Sequence, residues 1–225
     1  MKFVNKKVII FDLDGTLIDS VPDLALSIND MLEALHRNTF SQETIRFWVG
    51  NGAPILVKRA LLGKKEINKP VDEKLFQKAL SIFLDAYKKN LILSTHPYPH
   101  VTTTLHKLSQ DYTLALVTNK PFIFIEPILK NLGINMLFKV ILGGDSLKEK
   151  KPSGMPLLHV CKQLKITPKE AVMVGDSSND VLSAKSASIQ TIGVSYGYNY
   201  GESIERYSPD IIIDQFDDIL SLFRA

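Results

Sequence analysis

The chain has 225 residues, 45% hydrophobic and 23% charged, the balance of a globular chain with a proper core. Its net charge of +3, carried by scattered rather than clustered lysines, argues against a nucleic-acid partner while suiting an anionic substrate. The single cysteine, Cys161, excludes an internal disulfide, and no apolar run reaches the length of a signal-peptide core or a membrane span, so a cytoplasmic protein with no membrane partner is expected.

The first element is Val8-Ile9-Ile10-Phe11, four apolar residues that read as a strand buried on both faces. It runs straight into Asp12-Leu13-Asp14-Gly15. In an open α/β sheet, ligands bind just beyond the carboxyl ends of strands. Two carboxylates so close repel unless a cation lies between them or one keeps its proton. The stretch therefore reads either as a metal and acid/base site or as a plain acidic turn, and on its own it supports both equally.

Ser20 and Pro22 mark a helix start, with Leu24, Ile28, Met31, Leu32 and Leu35 at helical spacing. Only helices are expected from there to about Leu93. Ser41 caps a short one with Ile45 and Val49 inward, Gly50-Asn51-Gly52 breaks it, and the next carries Leu56, Ala60 and Leu61. Asp72 caps a long helix with Leu75, Ala79, Phe83 and Ala86 or Tyr87 inward. Ser94 to Pro99, with two prolines, reads as the linker back. Strands then return in alternation with helices: 114–117, 140–142, 171–174, 191–194 and 211–213. That pattern implies an α/β fold, a Rossmann-like parallel sheet core (1–19 and 94–225) with an inserted all-helical cap (20–93). Cys161, at helical spacing from Leu157, Leu158 and Leu164, reads as a small core residue.

Polar residues fall at matching places in this pattern. Asp12 and Asp14 end one strand, Thr118 and Asn119 another, and Asp176 a third, with Asp180 four residues on and Lys151 in the loop after 140–142. A parallel sheet brings all these ends to one edge. Each also has a bland reading: Lys151 as a solvated charge, Thr118 as the cap of the following helix, Asp180 as a first-turn acid favoured by the helix dipole. The five histidines have no metal-ligand spacing and read as surface residues. Trp48 and the tyrosines of 196–200 read as packing or loop structure.

Asp12-Leu13-Asp14-Gly15-Thr16, Thr118, Lys151-Pro152 and Gly175-Asp176-Ser177-Ser178-Asn179-Asp180 together resemble the four ordered motifs of the haloacid-dehalogenase-like hydrolases. Trp48 to Ala53, Val117 to Pro121, Gly143 to Leu147 and Tyr196 to Gly201 are similar to the phosphoglycolate phosphatase subgroup. The sequence departs from the family pattern at Gly154, His100 and Ser188, which bears on loop stiffness and removes no catalytic group.

The resemblance implies a Mg²⁺-dependent phosphomonoester hydrolase acting on a small phosphorylated metabolite, 2-phosphoglycolate above others. In that scheme Asp12 is the nucleophile, Asp14 the acid/base, and Thr118 and Lys151 hold the phosphoryl oxygens. The metal is held by Asp12, Asp176 and the Asp14 backbone carbonyl, with Asp180 behind them. Thr16, Asn119, Gly50, Asn51, Gly52 and Arg59 are the expected substrate contacts. Spacing alone makes Arg59 a solvated helix-face arginine; the subgroup resemblance makes it the partner of a substrate carboxylate. Another phosphatase, a pyrophosphatase or a phosphosugar mutase of the family is the alternative, and a catalytically silent phosphate-binding scaffold the reading from a different class. Monomer and homodimer both remain open.

Overall fold

The structure is a computed structural model describing residues 3–223; Met1, Lys2, Arg224 and Ala225, the outer ends of the expected core segments, lie outside the described residues. Every residue of β1 (Val8–Phe11) is buried. Its side chains alternate between two cores, Ile9 and Phe11 joining one and Val8 and Ile10 the other. That period of two, apolar on both faces, is what a central strand requires.

The chain leaves the sheet through β2 (Ile18–Asp19) and enters four helices: α1 (Val21–Ala34), α2 (Gln42–Arg46), α3 (Ala53–Leu62) and α4 (Glu73–Asn90). Two caps act as the sequence implies: Ser41 Oγ accepts from the Thr44 amide and the Asp72 side chain from the Leu75 amide. Ser20 stands before α1 but makes no side-chain cap there; its hydroxyl donates to Asp14 Oδ1 at 2.5 Å. The helix start was legible, and the reason for a serine there was not.

The chain returns through β3 (His96–Pro97), which pairs antiparallel with β2. The segment expected as a bare linker is thus half of a two-residue ribbon, too short and too proline-rich for any periodicity to register. A buried carboxylate fastens this join. Asp23 accepts from the amides of Ser94 and Thr95, both at 2.8 Å, and from the Thr95 hydroxyl at 2.7 Å.

The remainder alternates: α5 (Val101–Asp111), β4 (Thr113–Val117), α6 (Ile125–Asn131), β5 (Phe138–Leu142), α7 (Met155–Gln163), β6 (Ala171–Gly175), α8 (Ser178–Ser186), β7 (Gln190–Val194) and β8 (Ile211–Ile213). The six-stranded sheet has the order β5-β4-β1-β6-β7-β8 with every pairing parallel. One face packs on α5, α6 and the 3-10 turn at 216–221, in a core continuous with the helical cap. The other packs on α7 and α8, where Cys161 is buried as expected while Leu158 is exposed. The five histidines are all exposed. Among the described residues no helix is long and apolar enough to cross a membrane.

Candidate active site

The parallel sheet gathers the strand ends that carry polar residues. Carboxylate oxygens of Asp12, after β1, and of Asp176 and Asp180, after β6, lie within 4.8 Å of one another, and all three residues are buried. Lys151 reaches them from the loop after β5. Its ammonium, 2% exposed, stands 2.9 Å from Asp12 Oδ1 and 2.5 Å from Asp180 Oδ1. Burial works against that charge and the two carboxylates outweigh it, so the Lys151 ammonium is held above its ordinary pKa. The reading of Lys151 as a solvated charge is excluded by this burial.

Asp180 divides its two oxygens between the readings the sequence left open. Oδ1 pairs with Lys151, while Oδ2 accepts from the Ser177 amide at 3.0 Å and the Ser177 hydroxyl at 2.7 Å, capping α8. Asp176 is held as firmly. Thr16 donates to its Oδ1 at 3.0 Å and the Tyr198 amide to its Oδ2 at 2.7 Å. Two glycines let the chain pass this carboxylate: a Cβ at Gly15 (φ +88°) or at Gly197 would run into the Asp176 side chain.

Three carboxylates for one lysine leave an excess of negative charge. Burial first, and then the neighbouring acids, push Asp12 up to about 7 and Asp176 up to about 8, although Lys151 works the other way on Asp12. Asp12 Oδ1 is buried and takes no well-angled hydrogen bond even from Lys151. Hard carboxylate oxygens, crowded and short of positive charge, fit a divalent cation of the Mg²⁺ or Ca²⁺ type.

Asp14 turns to a different partner. Its oxygens accept from Lys120 Nζ at 2.8 and 3.1 Å and from Ser20. Lys120 is 4% exposed, and its ammonium lies 4.8 Å from the centre of the Tyr87 ring on α4. Burial alone lowers the Lys120 pKa, but Asp14 more than offsets it and keeps the ammonium above its ordinary value. Thr118 Oγ1 accepts from the Lys120 amide at 3.3 Å. It caps no helix, since the next helical turn starts at Phe122 with Pro121 before it.

A cavity of about 480 Å³, counting the part open to solvent, lies between this edge and the cap; Asp12, Asp14, Thr118, Asn119 and Lys120 line its floor, and Gly50, Gly52 and Tyr87 are among its cap residues. The Gly50 carbonyl accepts from Asn119 and Asn179, each at 3.1 Å, and the Asn51 carbonyl from Lys150 at 2.8 Å. The glycine loop is thereby tied to the core.

Three expected substrate contacts lie off the cavity lining: Asn51, whose side-chain amide donates to Asn179 Oδ1 at 3.5 Å, Thr16 and Arg59. The Thr16 hydroxyl is committed to Asp176, and Thr16 does not line the cavity. Arg59 is also absent from the lining. Its guanidinium donates to the carbonyls of Trp48 at 2.6 Å and Lys65 at 2.8 Å and stacks on Tyr200, so it ties the cap together rather than facing a ligand. The residues missed by sequence reasoning are Lys120, Ser20, Tyr87 and the Tyr198 amide. Lys120 had a signal, a lysine two residues past the strand-end Thr118 and locked before Pro121; Tyr87, 33 positions away, read only as an inward-facing helix residue.

A family model described as haloacid dehalogenase-like hydrolase matches residues 9–194. The chain is 49% identical over 221 residues to a phosphoglycolate phosphatase of Colwellia psychrerythraea, covering 98% of each. It is 47% identical over 219 residues to one of Psychrobacter arcticus, covering 96% of this chain and 95% of that one. Among solved structures, one described as a predicted phosphoglycolate phosphatase from Haemophilus somnus superposes with a TM-score of 0.91 at 43% identity, covering 96% of this chain and 97% of that one. With its motifs on the strand ends where they converge, and a family match spanning most of the sheet, the chain belongs to the haloacid dehalogenase-like hydrolases.

Proposed function

We propose that the chain hydrolyses 2-phosphoglycolate to glycolate and phosphate through an aspartyl-phosphate on Asp12. The observation that carries this reading is the split between the two acids of one turn. Asp12 sits with Lys151 among the crowded carboxylates, whereas Asp14 faces the cavity with Lys120. The first suits a nucleophile beside charge-balancing groups, and the second suits a proton carrier on the cavity side, where a leaving group would depart. The substrate follows the relatives named for it, at 42–49% identity over nearly the whole chain.

A Mg²⁺ held by Asp12, Asp176 and the Asp14 backbone carbonyl would neutralise phosphate oxygens that otherwise repel an anionic nucleophile. The Asp12 carboxylate forms the new bond to phosphorus as the ester P–O bond breaks, and Asp14 gives its proton to the departing glycolate oxygen. Asp14 then takes a proton from the water that cleaves the acyl phosphate, restoring both acids. Thr118 and Lys151 hold the remaining phosphoryl oxygens. Asp180 fixes Lys151, and Thr16 fixes Asp176.

The helical segment 20–93 acts as a lid on this reading, joined to the core through the β2–β3 ribbon and closing the cavity over the substrate. The compartment is the cytoplasm, in line with one unpaired cysteine. A panel of small phosphate esters ranked by kcat/KM, with Mg²⁺ and with a chelator, tests the proposal. 2-Phosphoglycolate should rank first and the chelator should abolish turnover; a preference for sugar phosphates would overturn the substrate assignment.

A further inference from the structure

The cavity poses a charge problem. A phosphate ester that also carries a carboxylate brings a second anion into a space whose lining already holds Asp12 and Asp14. The phosphate end has Lys151 to meet it, and the carboxylate cluster would add the charge of the cation it holds. The far end has little to offer: most of the lining there is apolar, including Leu24, Val49, Leu56 and Phe83. Among the described lining residues, Lys120 is the single cation.

Two further observations point to the same spot. Lys120 Nζ has three N–H bonds; it donates to both oxygens of the Asp14 carboxylate and lies within reach of the Tyr87 hydroxyl oxygen, which leaves the hydroxyl's own proton free. Beside it, the Tyr87 hydroxyl is buried without a well-formed hydrogen bond. Burial raises the Tyr87 pKa first, and Asp14 adds to it against the opposing pull of Lys120, up to about 12, so the hydroxyl stays a neutral donor. A buried donor without an acceptor is costly and marks a place where one is expected. One donor comes from the core, after β4, and the other from α4 of the cap.

We propose that Lys120 and Tyr87 together receive the carboxylate of the substrate, sharing the ammonium between that carboxylate and Asp14. This rests on the phosphoglycolate reading and assigns the specificity it left open. It moves that role from Arg59, which lies off the cavity lining with Nε and Nη1 donating to backbone carbonyls, to a lysine that faces the cavity. It also makes recognition depend on closure, because the two donors meet only when α4 lies over the strand end.

The test compares 2-phosphoglycolate with ethyl phosphate, which has the same ester chain without the carboxylate. Wild-type protein should prefer 2-phosphoglycolate in kcat/KM. In Lys120→Met that preference should shrink by about tenfold or more, mainly through KM, as expected for losing a charge-assisted contact. In Tyr87→Phe, which keeps the ring packed against Phe83 and Phe124, it should shrink by about threefold. If Lys120→Met does not fold, Tyr87→Phe and Lys120→Gln, whose amide still donates to Asp14, carry the test alone. Equal losses on both substrates would overturn the proposal and leave Lys120 as a holder of Asp14. No wild-type preference for 2-phosphoglycolate would instead overturn the substrate reading beneath it.

Discussion

The two ends of the active-site cleft are built differently. At the sheet edge, each oxygen of Asp176 and Asp180 has a named partner, and two glycines make room for Asp176. At the cap end the walls are largely apolar and a tyrosine hydroxyl is left without a good acceptor, facing the one lysine that rises from the floor. The first end is finished before a substrate arrives; the second is completed by one. Reaction chemistry needs fixed groups aimed at developing charge, whereas specificity needs donors that pay a penalty when the wrong molecule leaves them unmatched.

The sharpest way to break the finished end is Asp12→Asn. The amide keeps the shape and cannot form the acyl phosphate, so kcat should fall by at least about 10³-fold in a protein that still folds. Near-normal turnover would remove Asp12 from the nucleophile's role. Gly197→Ala drives a methyl group into Asp176. The Mg²⁺ concentration for half-maximal activity should rise by about 10- to 100-fold, while an unaltered metal response would show that the close approach is dispensable. Thr16→Val removes one hydrogen bond from the same carboxylate. A rise of about tenfold in the Mg²⁺ requirement is expected, with no change in preference among substrates; a change in preference instead would return Thr16 to the substrate side.

The crowded acids also set a pH dependence. Burial and the neighbouring acids hold the coupled carboxyls of Asp12 and Asp176 well above the ordinary carboxylate range in the metal-free fold. Groups raised in this way stabilise the fold below their unfolded pKa and lose that contribution as pH climbs through the folded one. Metal-free protein should therefore melt at a lower temperature at pH 8 than at pH 5.5, and added Mg²⁺ should raise the melting temperature more at pH 8. Equal Mg²⁺ shifts at both pH values would mean that the acids are not the metal's ligands.

The smallest effect sharpens the contrast from the cap side. Arg59→Ala should cost about 1–2 kcal/mol of stability through its two lost carbonyl contacts and lower activity on all substrates alike. A loss confined to 2-phosphoglycolate would restore it as a carboxylate ligand.

This division also explains what the sequence disclosed. Asp12, Thr118 and Asp176 close apolar strands, and a parallel sheet converts such positions into neighbours without further information; Lys151, well along the polar loop after β5, was reached only through the motif resemblance. The five later strands were readable from their apolar runs, within a residue or two at their starts. The β2–β3 ribbon was not, because two residues cannot establish a period. The Lys120–Asp14 pair spans 106 positions and the Tyr87 contact joins a helix to a strand end, so neither leaves a local pattern. Arg59 is the opposite case: only the subgroup resemblance points it at the substrate carboxylate, whereas its guanidinium donates to the Trp48 and Lys65 carbonyls on either side of its helix.

Trapping the covalent intermediate tests the central claim most directly. Wild-type and Asp14→Asn proteins, mixed with Mg²⁺ and 2-phosphoglycolate and quenched in acid within a turnover, are digested and mapped by mass spectrometry. The account predicts a phosphoryl group on Asp12, formed more slowly and also lost more slowly in Asp14→Asn, which lacks the acid of the first step and the base of the second. Turnover with Asp12 unmodified at every quench time, or the phosphoryl group on another residue, would contradict it.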